Sequence, residues 1–221
     1  MSTDDLALFA QKYYLPLAAA FVRGKLGHLS TTNDAEAVQQ GLQSGLRLHK
    51  FKRSNELPRV KKVLGVLHGL NPETLLDVGS GRGVFLWPLL DQFPHLAVQT
   101  IDVRVDRVED MQAVSQGGIR HLSADVMDVN RMEFADNSHD IVTALEVLEH
   151  LPKPEQAARE IVRVARRFVI VSVPSKVDDN PEHIQLFDAD SLTALLTEAG
   201  ARRVRAEYVL NHIVAVAGAS G

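Results

Sequence analysis

The feature that most constrains the fold is a short apolar strand that runs directly into three alternating glycines. Residues 74–78 read Thr-Leu-Leu-Asp-Val, and residues 79–83 read Gly-Ser-Gly-Arg-Gly before a helical pattern begins. Glycines here allow a sharp turn and let a ligand approach bare backbone at the start of a helix. A dinucleotide-binding turn needs a glycine where Val84 stands, and a P-loop needs Lys followed by Ser or Thr. The turn therefore predicts a ligand site of neither type.

From residue 74 onwards, short apolar runs alternate with helical patterns. Strands that are buried on both faces and separated by helices form a parallel sheet, so this pattern predicts a doubly wound, mostly parallel α/β fold of seven strands. The last two strands have no helix between them and are expected to pair antiparallel at the sheet edge. The predicted strands cover 74–78, 97–101, 119–122, 140–145, 168–173, 203–208 and 212–217, and the predicted helices cover 84–92, 105–115, 154–165 and 191–199.

Residues 1–70 have a different hydrophobic pattern, which predicts a helical segment that caps the domain at 71–221. Apolar residues recur at helical spacing over 6–14, and Pro16 is expected to end or kink that helix. Another helix is expected over 57–70, where a proline lies near the first turn. We therefore predict an N-terminal helical cap or lid followed by one α/β domain.

Charge is distributed unevenly between these two parts. The chain has a net charge of −4, but residues 1–70 carry +5 and residues 71–221 carry −9. Seven basic residues and the acid Glu56 lie between Arg47 and Lys62, with Phe51 among them. Basic charge beside an aromatic suits a phosphate-bearing or carboxylated substrate, or a nucleic-acid end, if Arg47 to Arg53 line the entrance. The alternative is a solvated helix face with Phe51 packed inward.

Composition excludes several classes of protein. The chain has no cysteine, which removes disulfides, thiolate metal sites and iron–sulfur clusters. The uncharged apolar stretch at 15–22 is too short to span a bilayer, and Asp4 and Asp5 stand where a secretory signal would be basic. We therefore expect a cytoplasmic protein with no membrane partner, while its oligomeric state stays open.

Two further acids follow predicted strands in register with the glycine turn. Asp102 ends the second strand, 19 residues beyond Gly83, where a carboxylate can accept hydrogen bonds from both hydroxyls of a ribose. Asp125 follows the third strand and could accept from an exocyclic amine of a base. Either acid alone could simply close a strand. Together with the glycine turn in a βαβαβ frame, they favour a nucleoside ligand.

These motifs resemble those of the class I S-adenosylmethionine-dependent methyltransferases. The resemblance rests on LLDVGSGRG at 75–83, on TIDV around Asp102, on SADV around Asp125 and on DIVTALEVLEHL from Asp140, and it covers about two-thirds of the chain. It implies a seven-stranded sheet with a terminal hairpin and S-adenosylmethionine as cofactor. It does not specify a substrate.

The resemblance also implies roles for individual residues. Gly79 and Gly81 would face the methionine part of the cofactor, and Asp77 its amino end. Asp102 would take the ribose, with Val103 beside the adenine, and Asp125 and Val126 would meet the adenine rim. The cofactor-binding residues that it implies are Asp77, Gly79, Ser80, Gly81, Gly83, Asp102, Val103, Asp125, Val126 and Glu146.

A carboxylate–histidine group is expected at the same mouth of the sheet. Residues 146–150 read Glu-Val-Leu-Glu-His after the fourth strand, and His183 lies in the loop after the fifth; ligands bind beyond the carboxyl ends of such strands. Three interpretations stay open. In the first, Glu146 approaches the cofactor and His150 is a hydrogen-bonded part of the scaffold. In the second, Glu149, His150 or His183 acts as general base or orients a small substrate. In the third, all four residues bind a divalent metal.

The metal interpretation has its own resemblance. Glu-x-x-Glu-His with a distant histidine is similar to the metal-dependent small-RNA 3′-terminal ribose 2′-O-methyltransferases, whose ion holds the two terminal hydroxyls. Imidazole and carboxylate ligands suit Mn, Fe, Co, Ni or Zn better than Mg.

Taken together, the motifs predict methyl transfer to an O, N or C nucleophile of a small or medium-sized substrate, an anionic one included. The alternatives are metal-dependent 2′-O-methylation of an RNA 3′ end or other diol, and a non-catalytic cofactor-binding module.

Overall fold

Seven strands form one sheet at the centre of the computed structural model, which describes residues 9, 11–27, 29, 31–53, 57–177 and 179–219. The strands are β1 (Thr74–Val78), β2 (Ala97–Asp102), β3 (Leu122–Val126), β4 (His139–Leu145), β5 (Ala165–Pro174), β6 (Arg202–Val209) and β7 (His212–Gly218). The helices are α1 (Leu15–Leu26), α2 (Asp34–Gln43), α3 (Pro58–Leu70), α4 (Leu86–Gln92), α5 (Val105–Gln116), α6 (Pro154–Val164) and α7 (Ala189–Glu198), with 3₁₀ turns at His49–Phe51 and Leu148–His150.

The sheet order is β3-β2-β1-β4-β5-β7-β6, and the first five strands pair in parallel. Strand β7 pairs antiparallel with both β5 and β6, which confirms the predicted terminal hairpin. The strand order reverses between β1 and β4. That reversal opens a crevice at the carboxyl ends of these strands, where doubly wound proteins bind their ligands.

Apolar side chains cover both faces of the sheet, as continuous buried strands require. One core packs helices α1 to α5 against the sheet, and the other packs α6 and α7 against the opposite face. Among the described residues, no helix combines the length and the apolar character that crossing a bilayer would demand.

Strand β3 begins later than the predicted strand at 119–122. The N–H of Ile119 donates to the carbonyl of Val114, and the N–H of Leu122 donates to the carbonyl of Ile119, so residues 119–121 form a turn. Strand β3 lies at the sheet edge, where Asp125 is exposed. The prediction was wrong because it read Ile119 and Leu122 as one apolar run, whereas the edge strand itself carries the polar Ser123 and Asp125.

Pro16 lies between two helical stretches. It is in the first turn of α1, where the missing N–H of proline has no intrahelical partner to lose. Of the segment that predicted a helix before it, Phe9, Gln11 and Lys12 are helical, Tyr13 forms a β-bridge with Lys52, and Leu6 and Ala10 lie outside the described residues.

Two glycines bring helix α1 against α5. A Cβ added to Gly24 would lie 1.9 Å from the carbonyl oxygen of Ala113, and one added to Gly117 would lie 1.7 Å from that of Ala20. Both contacts are with backbone, so neither can be relieved by moving a side chain. Helix α1 therefore packs on the helical layer beside the sheet.

Replacing Gly24 with alanine is expected to lower the free energy of unfolding by about 2 kcal/mol, because the added methyl must displace the α5 backbone. Gly65 in α3 is the matched control, since an added Cβ meets no heavy atom within 4 Å. Gly65→Ala should raise the free energy of unfolding by about 0.5–1 kcal/mol through helix propensity. Urea unfolding measures both variants, and shifts of the same sign would contradict the close α1–α5 contact.

Candidate active site

The glycine turn after β1 lies at the crevice where the strand order reverses. A Cβ on Gly79 would lie 2.7 Å from Cγ2 of Val147, so bare backbone meets the loop that follows β4. A Cβ on Gly83 would lie 2.1 Å from the ring of Trp87, so this glycine admits the indole. All three glycines of the turn have positive φ, at 69° for Gly79, 55° for Gly81 and 80° for Gly83; side chains of L-residues rarely allow these angles.

Asp102 lies at the end of β2 and holds the turn from the other side. Its carboxylate accepts hydrogen bonds from the backbone N–H groups of Gly81 and Arg104, each at 2.9 Å. Asp102 is 8% exposed, and the neighbouring Val103 is 64% exposed. Both residues line a cavity of about 730 Å³, which also contacts Gly79, Gly81, Glu146 and His150. This volume is in the range of cofactor-sized sites.

A smaller cavity of about 180 Å³ lies on the other side of the turn. Asp77 and Ser80 line it together with Arg59 and Arg82, and Glu146 lines both cavities. The two cavities therefore flank the glycine backbone, with carboxylates and guanidinium groups in the smaller one.

Asp77 is a buried carboxylate directly beneath the turn. It accepts a hydrogen bond from Thr143 Oγ1 at 2.8 Å and another from the hydroxyl of Ser80. Burial raises the pKa of Asp77 to about 6, although the bonds from Ser80 and Thr143 oppose the shift. Asp77 therefore holds its proton to a higher pH in the folded chain than in the unfolded chain.

This proton couples the stability of the fold to pH. Since the folded pKa is raised, the contribution of Asp77 is fully present below the unfolded value of 3.8 and is lost as pH rises towards about 6. Relative to the wild type, Asp77→Asn is expected to gain about 1–2 kcal/mol in free energy of unfolding between pH 4 and pH 7. Urea unfolding of both proteins across this range measures the difference, and a constant difference would contradict the buried-carboxylate assignment.

Asp125 and Val126 lie outside both cavities. The Asp125 carboxylate accepts a hydrogen bond from the Gln99 amide at 3.0 Å, and Val126 is half exposed at the sheet edge. The acid that lines the large cavity beyond β3 is Asp128. The resemblance assigned the adenine rim to Asp125 and Val126, whereas the later start of β3 places their side chains on the edge strand.

Glu146 is the centre of a network that sequence reasoning did not anticipate. Its φ of 60° is unusual for a residue with a side chain. Its carboxylate accepts from Ser172 Oγ at 2.7 Å and pairs with His212 Nε2 at 3.1 Å and Arg59 Nε at 3.4 Å. Burial alone would raise the pKa of Glu146, but His212, Arg59 and Ser172 outweigh it and hold the pKa below its usual value.

The partners of Glu146 come from α3, β5 and β7. No local motif links Arg59, Ser172 and His212, because packing and strand register bring them together. The start of β7 opposite the end of β5 places His212 beside Pro174. These contacts engage the Glu146 carboxylate, and the group of ligand atoms that converges among the described residues contains Glu149, His150 and His183 but not Glu146.

The other three residues of that set do converge. Ligand atoms of Glu149, His150 and His183 all lie within 4.8 Å of one another. The two imidazole rings are 4.9 Å apart between centroids and tilted by 60°. Glu149 is fully buried, and the two histidines are half-buried. A carboxylate and two imidazoles form a suitable donor set for a first-row transition metal.

Hydrogen bonds hold the loop with His183 against the turn with Glu149 and His150. The carbonyl of Glu149 accepts from the N–H groups of Ile184 and Gln185 at 3.0 and 3.2 Å. His150 Nδ1 lies 2.8 Å from the carbonyl of Glu182. A carbonyl can only accept, so Nδ1 carries the proton and Nε2 carries the lone pair. His150 Nε2 is thus prepared to take a proton or to ligate a metal.

Most of the basic front segment packs away from these cavities. Lys50 pairs with Asp110 of α5, Arg53 pairs with Asp91 of α4, and the fully buried Phe51 contacts the rings of Phe21 and Trp87. Residues 47–53 line neither cavity, whereas Arg59 lines the smaller one. The structure favours the alternative in which Phe51 packs inward, because this side chain anchors the segment to the helical layer. Glu56 lies outside the described residues.

Comparison with known proteins finds similarity to methyltransferases. The family model described as a methyltransferase domain matches residues 76–171. A probable S-adenosylmethionine-dependent methyltransferase of Mycobacterium tuberculosis is 32% identical over 138 residues, which are 57% of this chain and 47% of the relative. Ajmaline N-methyltransferase of Rauvolfia serpentina is 31% identical over 108 residues, which are 48% of this chain and 37% of the relative. The chain thus spans less than half the length of these curated relatives.

Solved structures share the same fold. The crystal structure of a SAM-dependent methyltransferase from Aquifex aeolicus superposes with a TM-score of 0.61 at 25% identity. The superposition covers 74% of this chain and 90% of that protein.

Proposed function

We propose that this chain, a member of the class I S-adenosylmethionine-dependent methyltransferase superfamily, transfers a methyl group to a nucleophilic atom of a small molecule. One observation carries the proposal: a glycine turn with positive φ, closed by the Asp102 carboxylate, opens on a cavity that Glu146 and His150 also line. This arrangement offers bare backbone, a ribose acceptor and a proton acceptor in one cleft.

The residues present fit S-adenosylmethionine. When bound, the cofactor supplies an electrophilic methyl carbon on a positively charged sulfur that is also the leaving group. Asp102 would accept hydrogen bonds from the ribose hydroxyls, and Val103 would cover the adenine. The smaller cavity offers Arg59 and Arg82 to a carboxylate and Asp77 to an ammonium group.

The acceptor side requires alignment and the exclusion of water more than elaborate acid–base chemistry. His150 has its lone pair on Nε2, because Nδ1 donates to the carbonyl of Glu182. On this proposal Nε2 would take the proton that an acceptor hydroxyl or amine loses as the lone pair of its oxygen or nitrogen attacks the methyl carbon. The electrons of the broken carbon–sulfur bond remain on sulfur. Glu149 and His183 would orient the imidazole and the acceptor.

A small-molecule acceptor agrees with the relatives. The Rauvolfia serpentina protein is named for N-methylation of ajmaline, and the ubiquinone biosynthesis O-methyltransferase of Nitrosomonas europaea is 23% identical over 124 residues, which are 53% of this chain and 50% of that relative. Both oxygen and nitrogen nucleophiles therefore stay within the proposal.

Calorimetric titration of the full chain with S-adenosylhomocysteine tests the cofactor assignment. We expect one equivalent to bind with a dissociation constant in the micromolar range, about −8 kcal/mol. NAD, which carries a pyrophosphate in place of the amino-acid chain, is the matched control and should not bind. Tight binding of NAD with no binding of S-adenosylhomocysteine would overturn the proposal.

A second candidate function follows from the cluster of Glu149, His150 and His183. Three donors leave coordination positions open for substrate, as in catalytic metal sites. The bond from His150 Nδ1 to a backbone carbonyl is the usual outer contact of a metal-binding imidazole. A bound divalent metal would hold the two hydroxyls of a diol acceptor, the ribose at an RNA 3′ end included. His150 would then be a ligand and not the base.

A further inference from the structure

Five large apolar side chains are exposed on two segments beside the cleft. One segment joins β5 to α7, and the other comprises the end of β6 and the turn into β7. The exposed fractions range from 54% for Ile184 to 84% for Val177. Single exposed apolar residues are ordinary, but a group of them marks a binding surface. We call these five residues the apolar rim: Val177, Ile184, Leu186, Tyr208 and Leu210.

Hydrogen bonds join the two segments. The N–H of Ser175 donates to the carbonyl of Asn211 at 2.8 Å. The N–H of Ala189 donates to the hydroxyl oxygen of Tyr208 at 3.4 Å. These two bonds place the end of β6 and the turn into β7 next to the two ends of the segment 175–189. Lys176, Asp179 and Glu182 supply charged groups in the same segment.

The segment that carries Ile184 and Leu186 also contributes a residue to the wall of the large cavity. Glu182 lines that cavity and lies two residues before Ile184. Ile184 donates its N–H to the carbonyl of Glu149, so the rim is attached to the carboxylate–histidine cluster by backbone. A molecule whose reactive atom reaches His150 would therefore meet apolar surface as it leaves the cleft.

We infer that the methyl acceptor is amphipathic: its nucleophilic head enters the cleft, and its apolar body lies on the apolar rim. This inference rests on the proposed methyl transfer and names its substrate class. The backbone attachment of Ile184 to the cluster favours the acceptor over a membrane surface or a partner protein, since neither of those requires the rim to adjoin the reacting atoms. Apolar contact also excludes water from the mouth of the cleft.

A homologous series of 4-n-alkylphenols, from ethyl to octyl, probes the rim directly. Binding to the full chain is measured by calorimetry with saturating S-adenosylhomocysteine. We expect the dissociation constant to fall about three- to four-fold for each added methylene, as burial of a CH₂ group predicts. In the double variant Ile184→Ser/Leu186→Ser, the dependence should fall below about 1.5-fold per methylene.

Leu42→Ser is the matched control, because Leu42 is 47% exposed on the remote helix α2. It should leave the chain-length dependence unchanged. A flat series in the wild type, no binding of any member, or a full dependence in the double variant would each overturn the inference. Unfolding in urea checks that the double variant is folded; if it is not, Leu210→Ser, in the β6–β7 turn, takes its place with the same expected loss of dependence.

Two further measurements separate this inference from its alternatives. Co-sedimentation with phosphatidylcholine vesicles that depends on Ile184 and Leu186 would assign the rim to a lipid surface and overturn the acceptor assignment. Binding of S-adenosylhomocysteine with a flat alkyl series would defeat the inference alone. Loss of S-adenosylhomocysteine binding with the alkyl dependence intact would defeat the methyl-transfer proposal instead.

Discussion

Asp102→Ala is expected to weaken the binding of S-adenosylmethionine by ten- to a hundred-fold, about 1.5–3 kcal/mol. Two losses combine in this variant. The ribose hydroxyls lose a charged acceptor, and the N–H groups of Gly81 and Arg104 lose the carboxylate that holds the turn closed. Asp102→Asn keeps the size of the side chain and one acceptor oxygen, so its effect should be intermediate.

Calorimetry with S-adenosylmethionine on the wild type and each variant measures this effect. Asp125→Ala is the informative comparison, because Asp125 also follows a strand but bonds to Gln99 outside both cavities. We expect less than a two-fold change there. Unchanged affinity in Asp102→Ala would contradict the ribose assignment, and a large loss in Asp125→Ala would restore the adenine contact that the resemblance implied.

His183→Ala is expected to reduce the affinity for a divalent metal by at least about a hundred-fold, since even outer contacts of metal ligands are worth ten- to a hundred-fold. The prediction belongs to the second candidate function, in which Glu149, His150 and His183 supply the ligand atoms. Removing one imidazole leaves two donors in the group. Zinc, cobalt and manganese are the metals to titrate, because imidazole suits them.

Metal content of untagged protein after dialysis, together with calorimetric titration, measures this loss. Glu146→Gln is the matched control: it removes a carboxylate that the sequence assigned to the metal but that the structure pairs with Arg59 and His212. It should keep the metal. A metal-free wild type with full turnover would eliminate the metal candidate and leave His150 as the base. Equal loss of metal in both variants would return Glu146 to the ligand set.

The sequence predicted the central fold well because its signals are local. Buried apolar runs define β1, β2 and β4. Glycines at 79, 81 and 83 identify the turn after β1, because glycine adopts the positive φ angles of this turn without strain. The same locality explains the error at β3, since an edge strand exposes polar residues and loses the apolar run that identifies a buried strand. The front segment was harder, because helical spacing does not state which surface a helix covers.

The residues of the candidate site were likewise predictable only in part. Strand topology alone places the residues after β4 and β5 at one edge of the sheet, so the meeting of Glu149, His150 and His183 could be anticipated. The partners of the Glu146 carboxylate could not be anticipated. Its partners Arg59 and His212 come from distant parts of the chain, and only packing reveals them.

What the sequence determined by itself was the backbone frame: a glycine turn after β1, an acid after β2, and a Glu-His pair after β4. These features depend on the conformations that each residue allows and on the burial of short segments. What only the tertiary structure decided was the partner of each charged side chain, because those partners come from elements that the fold brings together across long stretches of chain. The pairing of Glu146 with Arg59 and His212 is the clearest case, because it engages a carboxylate that the sequence left open as a metal ligand.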